Sequence, residues 1–249
     1  MKAMILAAGL GTRLRPLTDD RPKALVEIAG RTMLEITLGR LRTIGIQEAI
    51  INAHHFADRI VEYLTAHDNF GMRIEVSREP VLLDTGGGLK KAAPFFLEEG
   101  GARDEPFLLH NVDVLSTIEL GEMLRAHEEQ DALATLAVQA RPTSRYLLFD
   151  EQLRLCGRRA GREGAPELVR RTQPVEALAF CGIHVVSHRF LRMVTEEGVF
   201  SILTPYLRLA AEGERIVGYR ADEYYWRDLG KADQVRQAEQ DLKNKVVRQ

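Results

Sequence analysis

The sequence lacks the features that usually mark secreted or metal-stabilised proteins. Only two of its 249 residues are cysteine, one is tryptophan, and aromatic residues make up 6% of the chain. The two thiols, Cys156 and Cys181, are too far apart for a CxxC element, and the histidines do not supply the missing ligands of a zinc site. We therefore expect two core thiols in a cytoplasmic protein rather than a disulfide framework.

Long apolar runs and an excess of one charge are also missing. No run approaches the roughly 18 apolar residues that cross a bilayer, and the apolar residues 3–10 are followed by arginines instead of a signal-peptide cleavage site. Lys and Arg number 34 against 36 Asp and Glu, a formal net charge of -2. Because binding to nucleic acid in general needs a positive field, we expect neither a nucleic-acid partner nor a membrane.

The first half of the chain alternates short apolar runs with amphipathic helical patterns. The runs lie at residues 2–8, 49–52, 72–76 and 107–109, and the helical patterns at 32–43, 58–66, after 88 and at 120–129. This alternation predicts βαβ units, and hence an α/β fold with a Rossmann-like, mostly parallel sheet flanked by helices. Ligands of such sheets bind beyond the carboxyl ends of the strands.

The second half has a different pattern. Strand-like runs follow one another at residues 133–139, 146–149, 153–156 and 178–186, and helical patterns return at 202–212 and from 232. The segment 157–171 is rich in Arg, Gly and Glu without an apolar period, which predicts a mobile loop. We expect one domain over residues 1–249, made of a nucleotide-binding half (1–130), a β-rich half (131–230) and a C-terminal helix (231–249).

The most informative segment is residues 6–23, LAAGLGTRLRPLTDDRPK. Small residues follow the first strand directly, so backbone amides could close on phosphate oxygens or a nucleobase. Arg13 and Lys23 could neutralise the remaining charge. The segment is not a P-loop, because Thr12 and Arg13 follow Gly11, and it is not a dinucleotide fingerprint, because Leu14 stands where a third small residue is needed. It predicts a polyphosphate-binding loop.

This segment resembles the signature of the sugar-1-phosphate nucleotidyltransferases, LAAGxGTRLxPLTxxxPKxL, over residues 6–25. Further blocks occur in family order: LLDTGGGLKKA at 82–92, HNVDV at 110–114, FCGIH at 180–184 and WRDLG at 226–230. The resemblance implies a nucleotide-diphospho-sugar transferase fold whose β-rich half binds the sugar. It also implies a partner pair, a nucleoside triphosphate and a sugar 1-phosphate, and a Mg²⁺ cofactor.

The implied reaction is an in-line attack of the sugar phosphate on the α-phosphorus of the nucleotide, which releases pyrophosphate and an NDP-sugar. A phosphate monoester has a second pKa near about 6, so it needs neither a general base nor a side-chain nucleophile. Catalysis then depends on alignment and charge stabilisation.

The resemblance also assigns roles to individual residues. Arg13, Lys23 and Asp113 would be catalytic, and Asp113 and Asp228 would bind the metal. The nucleotide-binding set is Ala7, Ala8, Gly9, Gly11, Thr12, Arg13, Lys23, Glu79, Thr85, Gly86 and Gly87, and the sugar-binding set is Asn111, Tyr146, Glu176 and Gly182. Residues 85–88 are predicted to form a strand-to-helix turn before a helix that begins near Leu89, and their free amides could contact the base. Glu79 is predicted to accept a hydrogen bond from a base N–H.

The match weakens in the second half. Leu147 stands where the family's RYGxV element has glycine, and residues 156–158 replace a Glu-Lys-Pro element that often binds the sugar and its phosphate. The identity of the sugar is therefore left open. The cation that binds its phosphate is also left open, and Arg158, Arg170 and Arg171 are candidates. Short relatives without the β-helix domain of longer ones act on N-acetylmuramate 1-phosphate with uridylyl transfer, or on mannose, glucose or heptose phosphates with other nucleotides.

Two alternatives belong to other classes. A non-catalytic, NDP-sugar-binding regulatory subunit would be expected to have lost charged site residues, yet Arg13, Lys23 and both aspartates are present. A cytidylyltransferase for a non-sugar phosphate such as phosphocholine would need an aromatic cage, for which Trp226 and Tyr225 are available. Either way we expect a monomer or a small homo-oligomer.

Overall fold

The protein is described here by a computed structural model that covers residues 1–97 and 105–244. The strands β1–β14 are Lys2–Leu6, Glu27–Ile28, Arg31–Thr32, Glu48–Ala53, Arg73–Arg78, Pro106–Asn111, Val114–Ser116, Ala134–Gln139, Arg145–Phe149, Leu155–Ala160, Glu167–Leu168, Glu176–Ser187, Ile216–Arg220 and Trp226–Asp228. The helices α1–α7 are Met33–Thr43, Ala57–Ala66, Asp84–Leu97, Leu120–Glu129, His188–Met193, Leu203–Ala211 and Ala232–Lys243. Residues 245–249 of the predicted C-terminal helix lie outside the described part.

The first half forms the predicted parallel sheet, in the order β6-β1-β4-β5. Side chains of β1 alternate between its two faces: Ala3 and Ile5 join one buried cluster, whereas Met4 and Leu6 join another. Both faces of the strand are therefore covered by apolar side chains, which confirms the sheet flanked by helices that the sequence pattern predicts.

The first helix shows how local sequence sets these boundaries. Thr32, in an extended conformation just before α1, accepts a hydrogen bond from the backbone N–H of Glu35 at 3.0 Å. This satisfies one of the N–H groups that a helix N-terminus leaves without a partner, so α1 begins at Met33. Its buried face includes Leu34, Leu38 and Leu41, at helical spacing.

The long strand β12 joins the two halves. Along one edge its residues 176–179 pair with β9 and its residues 183–187 pair with β6, while β8 runs along the other edge. The β8 pairing shifts register between Phe180 and His184, and Gly182 lies within that irregular stretch with φ 73. The strand thus carries the sheet from the parallel half into the antiparallel half.

The mobile-loop prediction for residues 157–171 is wrong in part, because two stretches of the segment form strands, whereas residues 161–166 are turn and irregular structure. Residues 157–160 complete β10, and Glu167–Leu168 forms β11. The strand exists because β10 pairs with β9 over Arg145–Phe149, a partner that is distant from the segment's own local pattern.

None of the described helices is both long and apolar enough to cross a membrane.

Candidate active site

The site lies beyond the carboxyl ends of β1 and β6, where the signature segment and the HNVDV block begin. Two short strands bring the WRDLG block to the same place, because Asp228 on β14 pairs with Val114 on β7. The backbone N–H of Leu229 also donates to the carbonyl of Asp113 at 2.8 Å. Asp113 and Asp228 are therefore neighbours, as the block pattern predicts.

Lys23 forms an ion pair with Asp113. The Nζ–Oδ2 distance is 2.7 Å, and the two side chains are only 15% and 13% exposed. Gly9 lies against the ammonium, since a Cβ at Gly9 would be 3.3 Å from Lys23 Nζ. The two ends of the signature segment therefore meet at the aspartate.

The side chains of Arg13 and Asp228 both approach Gly230. Asp228 Oδ1 accepts the backbone N–H of Gly230 at 2.6 Å. A Cβ at Gly230 would lie 2.8 Å from this oxygen and 3.0 Å from Arg13 Nη2. The predicted charged residues of the reacting centre thus come from distant parts of the chain to one place, and the arginine side chain is exposed.

The signature segment is held by its own residues between these contacts. Thr12–Leu14 forms a 3-10 turn in which Leu14 is fully buried, while Thr12 stays exposed. The hydroxyl of Thr18 donates to the carbonyl of Gly11 at 2.9 Å. A buried leucine therefore anchors the turn, and it leaves Arg13 on the solvent side.

The structure gives Ala7 and Glu79 a different role from the predicted nucleotide contacts. The N–H of Ala7 donates to Asn52 Oδ1 at 2.7 Å, and Asn52 Nδ2 donates to Glu79 Oε1 at 2.7 Å. The other oxygen of Glu79 accepts the N–H of Leu83 at 3.0 Å, and Glu79 is 3% exposed. Because these groups are already paired, they hold the base of the signature segment in place. The sequence analysis missed Asn52, whose signal is a polar residue near the end of an apolar strand.

The prediction that residues 85–88 form a turn with free amides is wrong. These residues lie in the first turns of α3, and the N–H groups of Gly86 and Gly87 donate to the carbonyl of Phe200 at 2.9 and 3.2 Å. A Cβ at Gly86 would collide with the ring of Phe200. Thr85 Oγ1 accepts the N–H of Ile202 at 3.0 Å. The glycines are there because another segment packs directly against the helix backbone.

Two of the predicted sugar residues lie together. A Cβ at Gly182 would be 2.7 Å from Asn111 Nδ2, and Gly182 has φ 73, so any larger residue there would meet both a collision and backbone strain. Beside them, Trp226 Nε1 donates to the carbonyl of Cys181 at 2.7 Å. Asn111 and Gly182 therefore form a corner where β6, β12 and β14 meet.

The other two predicted sugar residues lie elsewhere. Glu176 forms an ion pair with Arg220, whose Nη1 lies 2.7 Å from each carboxylate oxygen. Because successive side chains of a strand alternate, Glu176 and Ala177 lie on opposite faces of β12. Tyr146 lines a separate pocket of about 430 Å³ with Ala177 and basic residues; the full lining is Ala140, Arg141, Tyr146, Arg159, Arg162 and Ala177. The structure does not bring Glu176 to this pocket.

The predicted phosphate-binding cations are also placed differently. Arg158 pairs with Glu167 at 2.7 Å, and Arg170 pairs with Asp150 at 3.5 Å. Neither lines the pocket that contains Arg141, Arg159 and Arg162. The sequence analysis missed these three arginines: Arg159 lies on β10, where strand register decides its face, whereas Arg141 and Arg162 lie in the segments that follow β8 and β10.

Arg141 connects this pocket with the reacting centre. Its guanidinium carbon lies 3.5 Å from the ring centroid of Trp226, and its Nη2 donates to the carbonyl of Phe180 at 2.8 Å. Burial lowers the pKa of Arg141, and the charge of Asp228 acts in the opposite direction. A positive charge is thus held between the two regions.

The donor set of the site suits a hard divalent cation. Asp113 and Asp228 lie on neighbouring backbone segments, and carboxylate oxygens are the ligand type that Mg²⁺ prefers, with waters and phosphate oxygens completing its coordination. Within residues 1–97 and 105–244 no group of three or more His, Cys, Asp or Glu side chains is placed to hold a metal. A metal held here by protein carboxylates would depend on substrate for further ligands.

Comparison with solved structures defines the fold class. HddC from Yersinia pseudotuberculosis, in a crystal structure described as complexed with GMP-PN, superposes with a TM-score of 0.74 at 18% identity, over 97% of this chain and 99% of that one. A putative glucose-1-phosphate thymidylyltransferase from Bacillus anthracis gives a TM-score of 0.76 at 17% identity, over 96% and 94% of the two chains. The architecture is that of the nucleotide-diphospho-sugar transferases.

Sequence relatives define the family. Residues 2–149 match the family model described as nucleotidyl transferase. N-acetylmuramate alpha-1-phosphate uridylyltransferase from Caulobacter vibrioides is 36% identical over 239 residues, 92% of this chain and 91% of that protein. The Neisseria meningitidis serogroup B protein of the same name is 42% identical over 120 residues, 48% and 49% of the two chains. The chain belongs to the nucleotidyl transferase family and is a sugar-1-phosphate nucleotidyltransferase, as its sequence blocks predict.

Proposed function

We propose that this protein transfers the uridylyl group of UTP to N-acetylmuramate 1-phosphate, with Mg²⁺, and releases pyrophosphate. The observation that carries the reaction type is the Lys23–Asp113 pair beside Asp228 and Arg13. The choice of substrates is supported by a relative of that name that is 36% identical over 92% of the chain.

The two aspartates suit the metal. Asp113 and Asp228 would hold Mg²⁺, and when bound it would neutralise the negative charge of the phosphate oxygens around the reacting phosphorus. Lys23 keeps the carboxylate of Asp113 paired in its absence, which avoids an uncompensated charge in a site where both side chains are mostly covered.

The basic residues have distinct tasks. Lys23 ends in a compact ammonium on a flexible stem, so it can turn from Asp113 to an oxygen of the α-phosphate. Arg13 is planar and exposed at the mouth of the site, and it can hold two oxygens of the departing pyrophosphate. As the sugar phosphate oxygen bonds to the α-phosphorus, the bond to the bridging oxygen breaks, and that electron pair leaves with pyrophosphate.

The two halves would divide the substrates between them. The nucleotide would lie beyond β1 on the signature segment, in contact with Ala8, Gly9, Gly11 and Thr12. The sugar would lie beyond β6, against the corner of Asn111 and Gly182. This keeps the nucleotide-binding half at residues 1–130 and the sugar-binding half at 131–230.

The test is pyrophosphate release across a matrix of UTP, CTP, GTP, dTTP and ATP with N-acetylmuramate, N-acetylglucosamine, glucose, mannose and heptose 1-phosphates. UTP with N-acetylmuramate 1-phosphate should give the highest kcat/KM, and the activity should be lost with EDTA and restored by Mg²⁺. A different preferred pair would overturn the substrate assignment. Nucleotide binding without turnover of any pair would favour the regulatory-subunit alternative.

The phosphocholine alternative has little support in the structure. The guanidinium of Arg141 covers one face of Trp226. The hydroxyl of Tyr225 donates to Asp241 at 2.7 Å. The two aromatic residues therefore serve other contacts and do not form an open cage. Cytoplasmic location and a monomeric or small homo-oligomeric state stay predictions from the sequence.

A further inference from the structure

The pocket of Tyr146 and the three arginines is unusual in its charge. Its lining, given above, contains Arg141, Arg159 and Arg162 but no carboxylate among the described residues. The Nε atoms of Arg141 and Arg159 are buried without a hydrogen-bond partner in the described part of the chain. Three guanidinium groups at one pocket repel one another, and an anion between them would supply both the missing charge and the missing acceptors.

Strand geometry builds this pocket. Arg159 on β10 pairs with Tyr146 on β9, and Tyr146 pairs with Ala179 on β12, so the three side chains project from the same face. The neighbouring Arg158 projects from the other face, where it pairs with Glu167. The hydroxyl of Tyr146 adds a polar group to the pocket, and a hydrogen bond from Arg162 lowers its pKa.

The distance between the pocket and the reacting centre indicates which anion the pocket would bind. Ala179, opposite Tyr146, is three residues before Gly182 on β12, which is about 10 Å along a strand. Arg159 lies one strand further away. The 1-phosphate of the sugar has to reach Asp113 and Asp228 beyond β6, so the anion that fits Arg159 and Arg162 is a second one, at the far side of the sugar ring.

We propose that Arg159, Arg162 and Tyr146, with Arg141 at the inner end, form a binding site for a carboxylate carried by the sugar. The site would select acid-bearing sugar 1-phosphates over neutral ones. This inference rests on the proposed function, and it adds the residues that determine specificity. A guanidinium binds a carboxylate through two parallel hydrogen bonds, which a neutral hydroxyl cannot match.

The test compares two substrates that differ in the lactyl ether, the group that carries the acid. N-acetylmuramate 1-phosphate carries a lactyl ether with a carboxylate, whereas N-acetylglucosamine 1-phosphate has a hydroxyl at that position. Steady-state kinetics with UTP would be measured for wild type, Arg159→Gln, Arg162→Gln and the double variant. Arg158→Gln is the matched control, because it removes the same charge from the opposite face of the same strand.

The double variant should lose at least tenfold in kcat/KM for the acidic sugar, mainly through KM, and less than twofold for the neutral one. The control should match the wild type with both. An equal loss for the two sugars would overturn the proposal, because the arginines would then bind the shared 1-phosphate or the nucleotide. Unchanged kinetics in the double variant would overturn it as well.

A wild type that turns over neither sugar would contradict the proposed function, and the pocket is then tested by binding. Calorimetry would compare glucuronate 1-phosphate with glucose 1-phosphate, a pair that differs only in a carboxylate in place of a hydroxymethyl group. Tighter binding of the acid by the wild type, abolished in the double variant and kept in Arg158→Gln, supports the proposal. Equal binding of the two sugars by the wild type overturns it.

Discussion

The two halves of the molecule treat charge differently. In the first half Lys23 and Asp113 form an ion pair, and the buried carboxylate of Glu79 accepts two hydrogen bonds. In the second half the basic side chains of the Tyr146 pocket face no acid among the residues described. The charges of the first arrangement are neutralised within the protein, whereas the positive charge of the second could be neutralised by a ligand.

The family model matches the first half of the molecule and only the beginning of the second. It ends at residue 149, at the last residue of β9, and so it stops short of β10, which carries Arg159. The part of the chain that matches the general family therefore holds Arg13, Lys23 and Asp113. The part beyond it holds two of the three pocket arginines. The proposed acid-binding residues Arg159 and Arg162 thus lie outside the matched stretch, as does Asp228 of the proposed metal site.

The largest effect is expected at the reacting centre, from Asp113→Asn. This change removes a charge but little volume, so kcat should fall by about 10²–10³-fold, the usual cost of losing one preorganised charge-stabilising group, while the fold stays intact. Pyrophosphate release and circular dichroism would measure the two quantities. Asp58→Asn, at an exposed ion pair with Arg78, is the control. Near-normal turnover in excess Mg²⁺ would contradict the role of Asp113.

Lys23→Ala should come next, with a loss of about 10²-fold in kcat because the positive charge at the α-phosphate is removed. Single-turnover kinetics would place the loss in the chemical step. Lys243→Ala, at the exposed end of α7, provides a matched control. A change in stability alone, with kcat preserved, would mean that the Lys23–Asp113 pair is only structural.

Two buried histidines where the halves join should make the free energy of unfolding depend on pH. Burial lowers the pKa of His110 on β6 and of His184 on β12 to about 3, against an ordinary value of 6.5. The unfolded chain therefore binds more protons between pH 3 and 6.5, so the stability that the neutral rings contribute is present above pH 6.5 and is lost as the pH falls. Each histidine should cost about 2 kcal/mol between pH 7 and pH 5.

Urea unfolding at pH 7, 6 and 5 would measure this loss. His184→Gln should reduce the slope of unfolding free energy against pH by about half, whereas the exposed His67→Gln should leave it unchanged. The same slope in all three proteins would show that the buried histidines do not control acid stability.

The framework of the first half should be sensitive to Glu79→Gln. The two oxygens of Glu79 accept from Asn52 and from the N–H of Leu83, and a glutamine can accept only one of these bonds. We expect a loss of about 1–3 kcal/mol in the free energy of unfolding, measured in urea at pH 7. A raised KM for UTP without a loss of stability would instead restore the predicted contact of Glu79 with the base.

The smallest effect is expected from Glu176→Gln, although the sequence analysis places this residue in the sugar-binding set. It makes an ion pair with Arg220 in which both side chains are substantially exposed, and such pairs contribute about 0–1 kcal/mol. The KM for the sugar phosphate should change by less than about twofold. A tenfold increase would return Glu176 to the sugar-binding set.

Much of the fold follows from the sequence because its causes are local. The alternation of apolar runs and helical patterns predicts β1, β4 and the helices between them, and Thr32 marks the start of α1. The strand over residues 155–160 is different, since residues 157–160 have no apolar alternation and become a strand through pairing with β9.

The arginine pocket shows why side-chain direction is harder to predict. Leu155 lies opposite Phe149, but Gly157 lies opposite Leu148, so Cys156 is an extra residue in the strand. A slip of one residue moves every following side chain to the other face. Without this bulge Arg158 would lie opposite Tyr146, whereas the structure places Arg159 there.

The sequence by itself determined the alternating architecture and the family, because short ordered blocks carry this information; the roles of Arg13, Lys23, Asp113 and Asp228 stay predictions from the same blocks. Tertiary structure alone decided that the amides of Gly86 and Gly87 are already paired with Phe200 and that Arg159 faces Tyr146. The physical reason is that hydrogen-bond partners and strand register are set by segments far apart in the chain. A local pattern of residues does not specify which distant segment will be the partner.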